Sequence, residues 1–548
     1  MSTAVSPSRP DFSEPLTPVL PPRYALGARH VAVCSFFAAL FLYVNYLPLK
    51  YPALWSDVAQ GRWILAHGRL PAHEPLLPLA EGMPVVQGAW LSQVTLGAVA
   101  RLLGAEWLSN LFALVILATF ALLARALYAE TRSLGATMGA IVCAAALSWT
   151  RLPLFGPETF GLLCFVLLIW LAMQLDREAP VGGSDIGADG PVDRKAAGIV
   201  TWIAVPVLFA IWANVHGSFV CGLIVLACCF LGRAVEVGWQ SRSCSAAIRD
   251  ASVRRWCCLA EAAVAATLVN PYGFDLWIDF VAAARNANLR DVAAWQAVTL
   301  SSPAGVVFVM SWAILAAVLR HSRLAVRPRD VLLLAAFSVA VFARADGIGT
   351  YAVVFAVAMA PHFGQLVSKA GTWSLGRAER RGGAGHPAGP RWLYTLACGL
   401  VVWVAFALSG WSRPVLGGPA RPAEQLYGKG FPLALAEHLR AEPPEGLVFN
   451  PFAWGGWLAD HGPAGVQLFA APEVQRLPRR VWRDYLHVAT ARPGWQQVLR
   501  RYVVRAVIVD RAEQRQLAGA LRAEPAWRLT YEDEQALLFR PAGKESAP

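Results

Sequence analysis

Long apolar runs separated by short polar stretches make up most of residues 31–411 of this 548-residue chain. Such runs are typical of membrane-spanning helices, since a bilayer core about 30 Å thick takes roughly 20 helical residues. We predict eleven spans, at 31–49, 107–127, 135–149, 158–175, 198–214, 218–235, 257–270, 303–319, 330–343, 351–367 and 393–411. The stretch 198–235 is either two spans joined by a tight polar turn or one broken helix.

The pattern changes after residue 411. Strand-like runs follow one another at 446-GLVFN-450, 466-VQLFA-470, 503-VVRAVIVD-510 and 536-ALLFR-540. Helical patterns lie between them, at 432-PLALAEHLRAE-442 and 511-RAEQRQLAGALRAE-524. Strands that alternate with helices predict a small α/β domain over residues 412–548.

Basic residues are distributed unevenly between the two sets of loops that these spans create. If the tail 1–30 is cytoplasmic, the inner loops carry most of the arginines, whereas the outer loops, including a large first loop at 50–106, carry few. This asymmetry favours a cytoplasmic N-terminus. With an odd number of spans, the domain 412–548 is then extracytoplasmic, on a multi-pass protein of the cytoplasmic membrane.

Composition supports the same class of protein. The chain is 56% hydrophobic and only 15% charged, whereas a soluble protein usually has about a quarter charged residues. The net charge of +12 sits in short clusters between apolar runs, which orient helices and do not indicate nucleic-acid binding. The ten cysteines include no CxxC pair and no zinc-type cluster, so they are interpreted as small apolar residues.

Unusual polar residues share the predicted outer face of the membrane. They are Asp57, His73, Glu74, Gln93, Arg151, Glu158, Asn214, His216, Tyr272, Arg344 and Asp346. Polar groups at membrane depth are costly and usually functional. A carboxylate there can deprotonate an acceptor hydroxyl or hold a divalent ion, and arginines bind phosphate oxygens. Together they predict a site for transfer from a lipid-linked phosphate donor.

Each feature also has an ordinary structural interpretation. These are Asp57 as the cap of a helix that starts at Val58, Glu74 as a turn residue, His216 as a satisfied buried histidine, Arg151 and Arg344 as side chains reaching for headgroups, and 454-WGGWL-458 as a turn. Taken singly, such interpretations are common. The convergence of acids, a base and cations on one face favours the functional one.

Five sequence motifs resemble those of a large group of bacterial membrane proteins. They are 57-DVAQGRWILAHGRLPAHEP-75 followed by 90-WLSQ-93, then 212-WANVHGSFVCG-222, 270-NPYGFDLW-277, 447-LVFNPFAWGGWL-458, and the closing segment from Trp527 to Arg540. The group is similar to GT-C glycosyltransferases of the mannosyltransferase and arabinosyltransferase type, which use polyprenyl-phosphate sugars. The motifs span most of the chain.

The resemblance implies one or two acidic residues in the first outer loop, one of which is the base or a metal ligand. Asp57 matches the first position and Glu74 stands where an Asp is expected. Substrate contacts are predicted for the polar residues of the outer face, His73, Gln93, Arg151, Asn214, His216, Tyr272 and Arg344. Mg²⁺ or Mn²⁺ is the predicted cation if Asp57 is a metal ligand. Two motifs depart from the group, because Ala294 replaces an acid and 468-LFAAPEVQR-476 lacks an Asp-x-Arg.

Two functions from different classes remain open at this point. The first is a membrane glycosyltransferase that moves a sugar from a polyprenyl-phosphate donor to an envelope glycan, lipid or protein. The second is a non-catalytic scaffold, or a carrier of a lipid-linked substrate in envelope biogenesis. Asp57 discriminates between them, since a scaffold should tolerate its replacement.

Overall fold

The computed structural model describes residues 26–80, 82–177, 191–292, 296–380 and 391–542. Most of the tail 1–30 and the replaced acid position Ala294 lie outside these ranges. The described part is predominantly helical up to residue 408. Its helices are α1 (Ala28–Tyr46), α2 (Pro52–His67), α3 (Trp90–Leu102), α4 (Glu106–Thr131), α5 (Leu134–Ser148), α6 (Pro157–Arg177), α7 (Pro191–Val215), α8 (Phe219–Ser241), α9 (Cys244–Arg249), α10 (Ala251–Ala266), α11 (Asp275–Arg285), α12 (Pro303–His321), α13 (Pro328–Ala343), α14 (Ile348–Arg380) and α15 (Arg391–Leu408).

Each of the eleven predicted spans overlaps a helix, but the count of eleven is not confirmed. Among the described residues, six helices are long and apolar enough to cross a membrane, or seven if the bent pair Trp392–Leu408 and Gly410–Leu416 is one span. The predicted spans at 135–149 and 198–214 correspond to shorter apolar helices. The chain is thus a multi-pass membrane protein with several shorter helices packed among the spans. The 198–235 stretch is two helices, α7 and α8.

Helix α14 runs through the centre of the bundle. Its segment 351-YAVVFAVAMA-360 is buried on every side, as expected for a helix that is apolar all round. It packs against α5, α12 and α13. The membrane part therefore has a closed helical core around this segment.

The two ends of α4 show how charge is separated along the bundle. Glu130, at the C-terminal end, pairs with Arg327 at 2.6 Å and with Arg177 at 3.7 Å. Glu106, at the other end, contacts Arg413 of the C-terminal domain. At about 1.5 Å per residue these acids are roughly 36 Å apart. Arg177 and Arg327, predicted to be cytoplasmic, thus lie at the end opposite the C-terminal domain.

Residues 413–542 form a small α/β domain. Its elements are α16 (Arg413–Leu416), α17 (Ala423–Tyr427), α18 (Leu433–Ala441), β1 (Leu447–Phe449), α19 (Phe452–His461), β2 (Gln467–Leu468), α20 (Arg479–Ala489), α21 (Trp495–Arg501), β3 (Ala506–Asp510), α22 (Arg515–Ala523), β4 (Trp527–Glu532) and β5 (Ala536–Pro541). The predicted strands and the helices at 432–442 and 511–524 are confirmed. Strand β4 was missed, although 527-WRLTYE-532 alternates apolar and polar residues in the manner of a half-buried strand.

The sheet has the order β2-β1-β3-β5-β4. The first three strands are parallel, with Val448 opposite both Leu468 and Ala506, and β5 runs antiparallel to β3 and β4. All three residues of β1 are buried, as is usual for a central parallel strand covered on both faces. The segments that follow β1 and β2 lie at the same edge of the sheet, and both turn toward the membrane part.

Candidate functional site

Helices α2 and α3 cross so closely that only glycine fits between them. A Cβ atom on Gly61 would lie 1.8 Å from the carbonyl oxygen of Gln93, and one on Gly97 would lie 2.7 Å from the backbone nitrogen of Arg62. This crossing places Asp57, one turn before Gly61, beside Gln93, one turn before Gly97. The Gln93 Nε2 amide donates to Asp57 Oδ1 and to Gln60 Oε1, both at 3.0 Å.

The alternative in which Asp57 caps a helix starting at Val58 is wrong. Helix α2 begins at Pro52, so Asp57 lies in its second turn. A capping side chain accepts hydrogen bonds from the free backbone N–H groups of the first turn, which Asp57 does not precede. Its side chain instead faces the crossing with α3 and is partly buried. The segment 50–106, predicted as a loop, contains two helices that hold this carboxylate in place.

The C-terminal domain covers α2 through a second close contact. The motif 454-WGGWL-458 lies within α19, so its interpretation as a turn is wrong. A Cβ on Gly456 would lie 2.5 Å from the backbone nitrogen of Ser56, and one on Gly455 would lie 2.2 Å from the carbonyl oxygen of Ala470. Helix α19 is therefore pressed between α2 and the chain after β2, which brings residues 470–476 close to Asp57.

The segment after β2 places an acidic residue, Glu473, and a basic residue, Arg476, near Asp57. Arg476 ends a short 3₁₀ helix, Val474–Arg476, and its guanidinium binds Glu74 Oε2 at 2.5 Å and Gln87 Oε1 at 2.9 Å. The Glu74 side chain is only 1% exposed. Glu74 also accepts the Leu76 amide at 3.1 Å, so its interpretation as a turn residue is correct but incomplete. We call Asp57, Glu74, Glu473 and Arg476 the Asp57 cluster.

Burial and the charges of neighbouring acids raise the pKa values of Asp57 and Glu473. Burial raises the pKa of Asp57 well above its ordinary value, and the charge of Glu473 raises it further, while the hydrogen bond from Gln93 lowers it. Burial also raises the pKa of Glu473 to about 7, against the lowering effect of Arg476. Glu473 is therefore able to hold or release a proton near neutral pH, and its charge acts on Asp57.

Tyr51 connects the Asp57 cluster to a second group of polar side chains, which consists of Glu158, Arg344 and Asp346. The charge of Glu158, followed by burial, raises the pKa of Tyr51, and the charges of Asp57 and Asp346 act in the same direction. In the second group Arg344 pairs with Asp346, with Nε and Oδ1 3.2 Å apart. Arg344 therefore has a partner within the protein, in addition to any lipid headgroup that its side chain contacts. The acids of both groups are therefore close enough to Tyr51 for their charges to raise the pKa of its phenol.

His216 lies in the turn between α7 and α8, near this second group. Its Nδ1 accepts the Ser218 amide at 3.2 Å, and a Cβ on Gly161 of α6 would lie 3.0 Å from that nitrogen. Burial lowers the pKa of His216 to about 4, although the charge of Asp346 opposes this effect. His216 is therefore a neutral hydrogen-bonding group at physiological pH, in accord with the satisfied buried histidine of the structural interpretation.

Three other predicted site residues have contacts that belong to the scaffold. Asn214 accepts the Trp90 indole N–H at 2.7 Å and donates to the carbonyl oxygens of Ala210 and Val269. The Tyr272 amide donates to Asn270 Oδ1 at 2.8 Å in the turn between α10 and α11. His73 is exposed, on a short backbone bridge to Pro84. Their predicted substrate contacts stay predictions.

The Asp57 cluster fits a divalent cation poorly. Within the described ranges, no three His, Cys, Asp or Glu side chains come together as metal ligands would. The positive charge between Glu74 and Glu473 is supplied by Arg476, whose pKa both acids raise against the effect of burial. We therefore derive no step through a metal, and Mg²⁺ or Mn²⁺ at Asp57 stays a prediction.

Sequence reasoning missed Glu473, Arg476 and Tyr51. The segment 468-LFAAPEVQR-476 was noted for lacking an Asp-x-Arg, yet its Glu and Arg, three residues apart, reach the Asp57 cluster through the short 3₁₀ helix. An acid and an arginine after a predicted strand were the available signal. No comparable signal marked Tyr51.

The comparisons with known proteins agree with this architecture. No protein-family model and no curated protein matches the sequence. The structure is similar to the oligosaccharyltransferase of Archaeoglobus fulgidus in its apo form, with 13% identity and a TM-score of 0.52 over 88% of this chain and 69% of the other. The chain has a GT-C-type glycosyltransferase fold.

Two further structures of the archaeal enzyme have similar values. One, tethered to an acceptor peptide containing the NVT sequon, has 13% identity and a TM-score of 0.53. The other, in complex with an inhibitory peptide and a dolichol-phosphate, has 12% identity and a TM-score of 0.50, and both cover 88% of this chain and 69% of theirs. The predicted resemblance to GT-C proteins is confirmed for the fold, in which the Asp57 cluster lies between the membrane helices and the C-terminal domain.

Proposed function

We propose that this chain is a membrane glycosyltransferase that moves a sugar from a polyprenyl-phosphate donor to a cell-envelope glycan, lipid or protein. The observation that carries the proposal is Asp57, fixed by the Gln93 amide at 3.0 Å and surrounded by the charges of Glu473 and Arg476. The dolichol-phosphate and the acceptor peptide seen in the archaeal neighbours support a lipid-phosphate donor and a separate acceptor.

In the proposed reaction, a heteroatom of the acceptor attacks the anomeric carbon of the donor sugar. The bond between that carbon and the phosphate oxygen breaks, and the polyprenyl phosphate leaves with the electron pair. Asp57 accepts the proton of the acceptor, for which a raised pKa makes a carboxylate a stronger base. Arg151 and Arg344 stabilise the departing phosphate, because guanidinium groups match its oxygens and its charge.

The proposal includes a location and a division of the chain. The tail 1–30 is cytoplasmic, residues 31–411 form the membrane domain with the segment 50–106 on the outer side, and residues 412–548 lie outside the cytoplasmic membrane. The separation of Arg177 and Arg327 from the C-terminal domain along α4 supports this orientation.

The first experiment measures polyprenyl phosphate released from a panel of polyprenyl-phosphate sugars by the purified full-length protein in lipid. Asp57→Asn keeps the size of the side chain and removes the base, so release should fall by roughly 10²- to 10⁴-fold. The matched control is Asp275→Asn, which makes the same change at an exposed position of α11 and should release at the wild-type rate.

The scaffold or carrier hypothesis makes the opposite prediction. A non-catalytic protein releases nothing from any intact donor, and its Asp57→Asn variant supports envelope assembly as well as Asp275→Asn does. The absence of release by the wild-type protein would reject the transferase proposal. Release by the wild-type protein that Asp57→Asn leaves unchanged would reject the role of Asp57 alone.

A further inference from the structure

Helix α20 carries a concentration of arginines away from the Asp57 cluster. The helix has a strict division of faces, with Val481, Trp482, Tyr485 and Val488 buried in the C-terminal domain. Arg480, Arg483 and His487 are spaced i, i+3 and i+7, so they share the other face. The arginines at 480 and 483 are exposed, whereas the histidine is partly buried.

These side chains line a groove of about 630 Å³. Its lining residues are Asp291, Arg479, Arg480, Arg483, Asp484, Leu486, His487 and Arg492. That volume is within the range of protein sites that hold small ligands or a few units of a chain. We call this feature the arginine groove.

The two acids in the arginine groove already have cationic partners. Asp291 pairs with Arg479 at 2.6 Å, and Asp484 pairs with Arg501 at 3.1 Å. Within the described part of the chain, no carboxylate lies within ion-pair distance of Arg480, Arg483 or Arg492. The groove therefore presents three guanidinium groups whose charge is not neutralised by a neighbouring acid.

Both walls of the arginine groove are held in place. On one side Arg479 bonds to the carbonyl oxygen of Ala287 as well as to Asp291, and the Trp482 indole donates to the same Asp291 oxygen at 3.1 Å. On the other side the His487 ring bonds to the carbonyl oxygen of Pro493 at 2.9 Å, which secures the turn that carries Arg492. Hydrogen bonds therefore fix the backbone on both sides of the groove.

The arginine groove is joined to the Asp57 cluster by a short piece of chain. Helix α20 starts three residues after Arg476, and Asn288 binds the carbonyl oxygens of Val474 and Leu477, both at 2.8 Å. The same segment therefore positions Arg476 in the cluster and the first turn of α20 in the groove.

We propose that the arginine groove binds an anionic glycan, a chain bearing a carboxylate or phosphate on successive sugars. Guanidinium groups spaced along a helix face suit repeated charges on an extended chain. The alternative occupant, an anionic lipid surface, is less favoured because α20 and the rest of the described groove lining present no exposed large hydrophobic side chain to insert into lipid. The exposed side chains of Val415, Leu416 and Val503 lie outside this lining. That the bound chain is the acceptor rests on the proposed function, whereas the binding does not.

The test measures binding of an oligogalacturonide to the full-length protein in nanodiscs of zwitterionic lipid, with no donor present. The fully methyl-esterified, neutral oligomer is the control probe. We expect saturable binding of the charged oligomer only, weakened about tenfold by Arg480→Gln/Arg483→Gln/Arg492→Gln, since each exposed ion pair contributes modestly. Arg528→Gln, which removes one exposed arginine from β4, should bind as the wild type does.

Several results would overturn the proposal. They are no binding by the wild type, equal binding of the neutral oligomer, or equal binding by the triple variant. Loss of wild-type binding in nanodiscs of anionic lipid would also overturn it, because lipid would then be the occupant. If the triple variant unfolds at a lower temperature than the wild type, the binding measurement is made with Arg483→Gln alone. We then expect a smaller loss of affinity for the charged oligomer. Binding of the charged oligomer by a protein without transferase activity would support the groove as a glycan-binding site. It would reject only the inference that the bound glycan is the acceptor.

Discussion

Glu74 and Arg476, which are 402 positions apart in the sequence, form an ion pair with an oxygen–nitrogen distance of 2.5 Å. One comes from the segment between the first spans and the other from the C-terminal domain. Their side chains are 1% and 15% exposed. The pair therefore fastens the C-terminal domain over α2 and orders the acids around Asp57.

Removing one partner of this pair should destabilise the protein. Arg476→Gln leaves Glu74 charged and buried, and breaking a buried ion pair costs about 3–5 kcal/mol. We expect a lower thermal unfolding temperature in detergent and loss of polyprenyl phosphate release. Glu74→Gln/Arg476→Gln should recover part of the stability, because no uncompensated charge remains.

Arg528→Gln is the control for Arg476→Gln, since it removes an exposed arginine of the same domain. Its unfolding temperature should match that of the wild type. An Arg476→Gln protein as stable as Arg528→Gln would contradict the importance of the pair.

Glu473 should control the pH dependence of transfer. Its pKa is raised to about 7, mainly by burial, and its charge contributes to the raised pKa of Asp57. We expect the wild-type rate to increase as pH rises and the acids ionise. Glu473→Gln removes a negative neighbour, so Asp57 loses its proton at a lower pH and the rising limb shifts toward acid. A limb in the same position in wild type and variant would refute this coupling.

The same pKa shift predicts an effect on stability. The folded protein holds the Glu473 proton up to about pH 7, whereas the ordinary value for glutamate is 4.5. Stability from this group is therefore complete below pH 4.5 and is lost as pH rises toward 7. Glu473→Gln should gain stability relative to the wild type across that window, measured by thermal unfolding. Glu445→Gln, an exposed change in the same domain, should show no such trend.

Gly456 should be intolerant of any side chain. A methyl group there would lie 2.5 Å from the backbone nitrogen of Ser56, so α19 must move away from α2. Overpacking of this kind costs about 1–3 kcal/mol. We expect Gly456→Ala to unfold at a lower temperature and to lose transfer activity, since Glu473 and Arg476 would shift relative to Asp57.

Gly399→Ala makes the same change in α15, where nothing lies within 4 Å of the added methyl group. Because alanine favours helix, this variant should be as stable as the wild type or slightly more stable. Equal behaviour of the two alanine variants would show that the α2–α19 contact does not matter.

Much of the fold was visible in local patterns. The membrane class, the helices at all eleven predicted positions and four of the five strands follow from apolar periodicity, which reports burial directly. The number of spans was not visible in these patterns, because length and hydropathy do not distinguish a short helix that spans the membrane from a short helix packed beside a span. The shorter apolar helices Leu134–Ser148 in α5 and Val200–Val215 in α7 are of this ambiguous kind.

The sequence by itself determined which chemistry was present near the membrane surface. Asp57, Glu74 and Gln93 stood out because charged and amide side chains are costly beside apolar spans. Only the tertiary structure decided that Glu74 is neutralised by Arg476, that Glu473 raises the pKa of Asp57, and that Asn214 is occupied within the scaffold. Such relations depend on distances of a few ångströms between segments hundreds of residues apart, and close contacts at Gly61 and Gly456 set those distances.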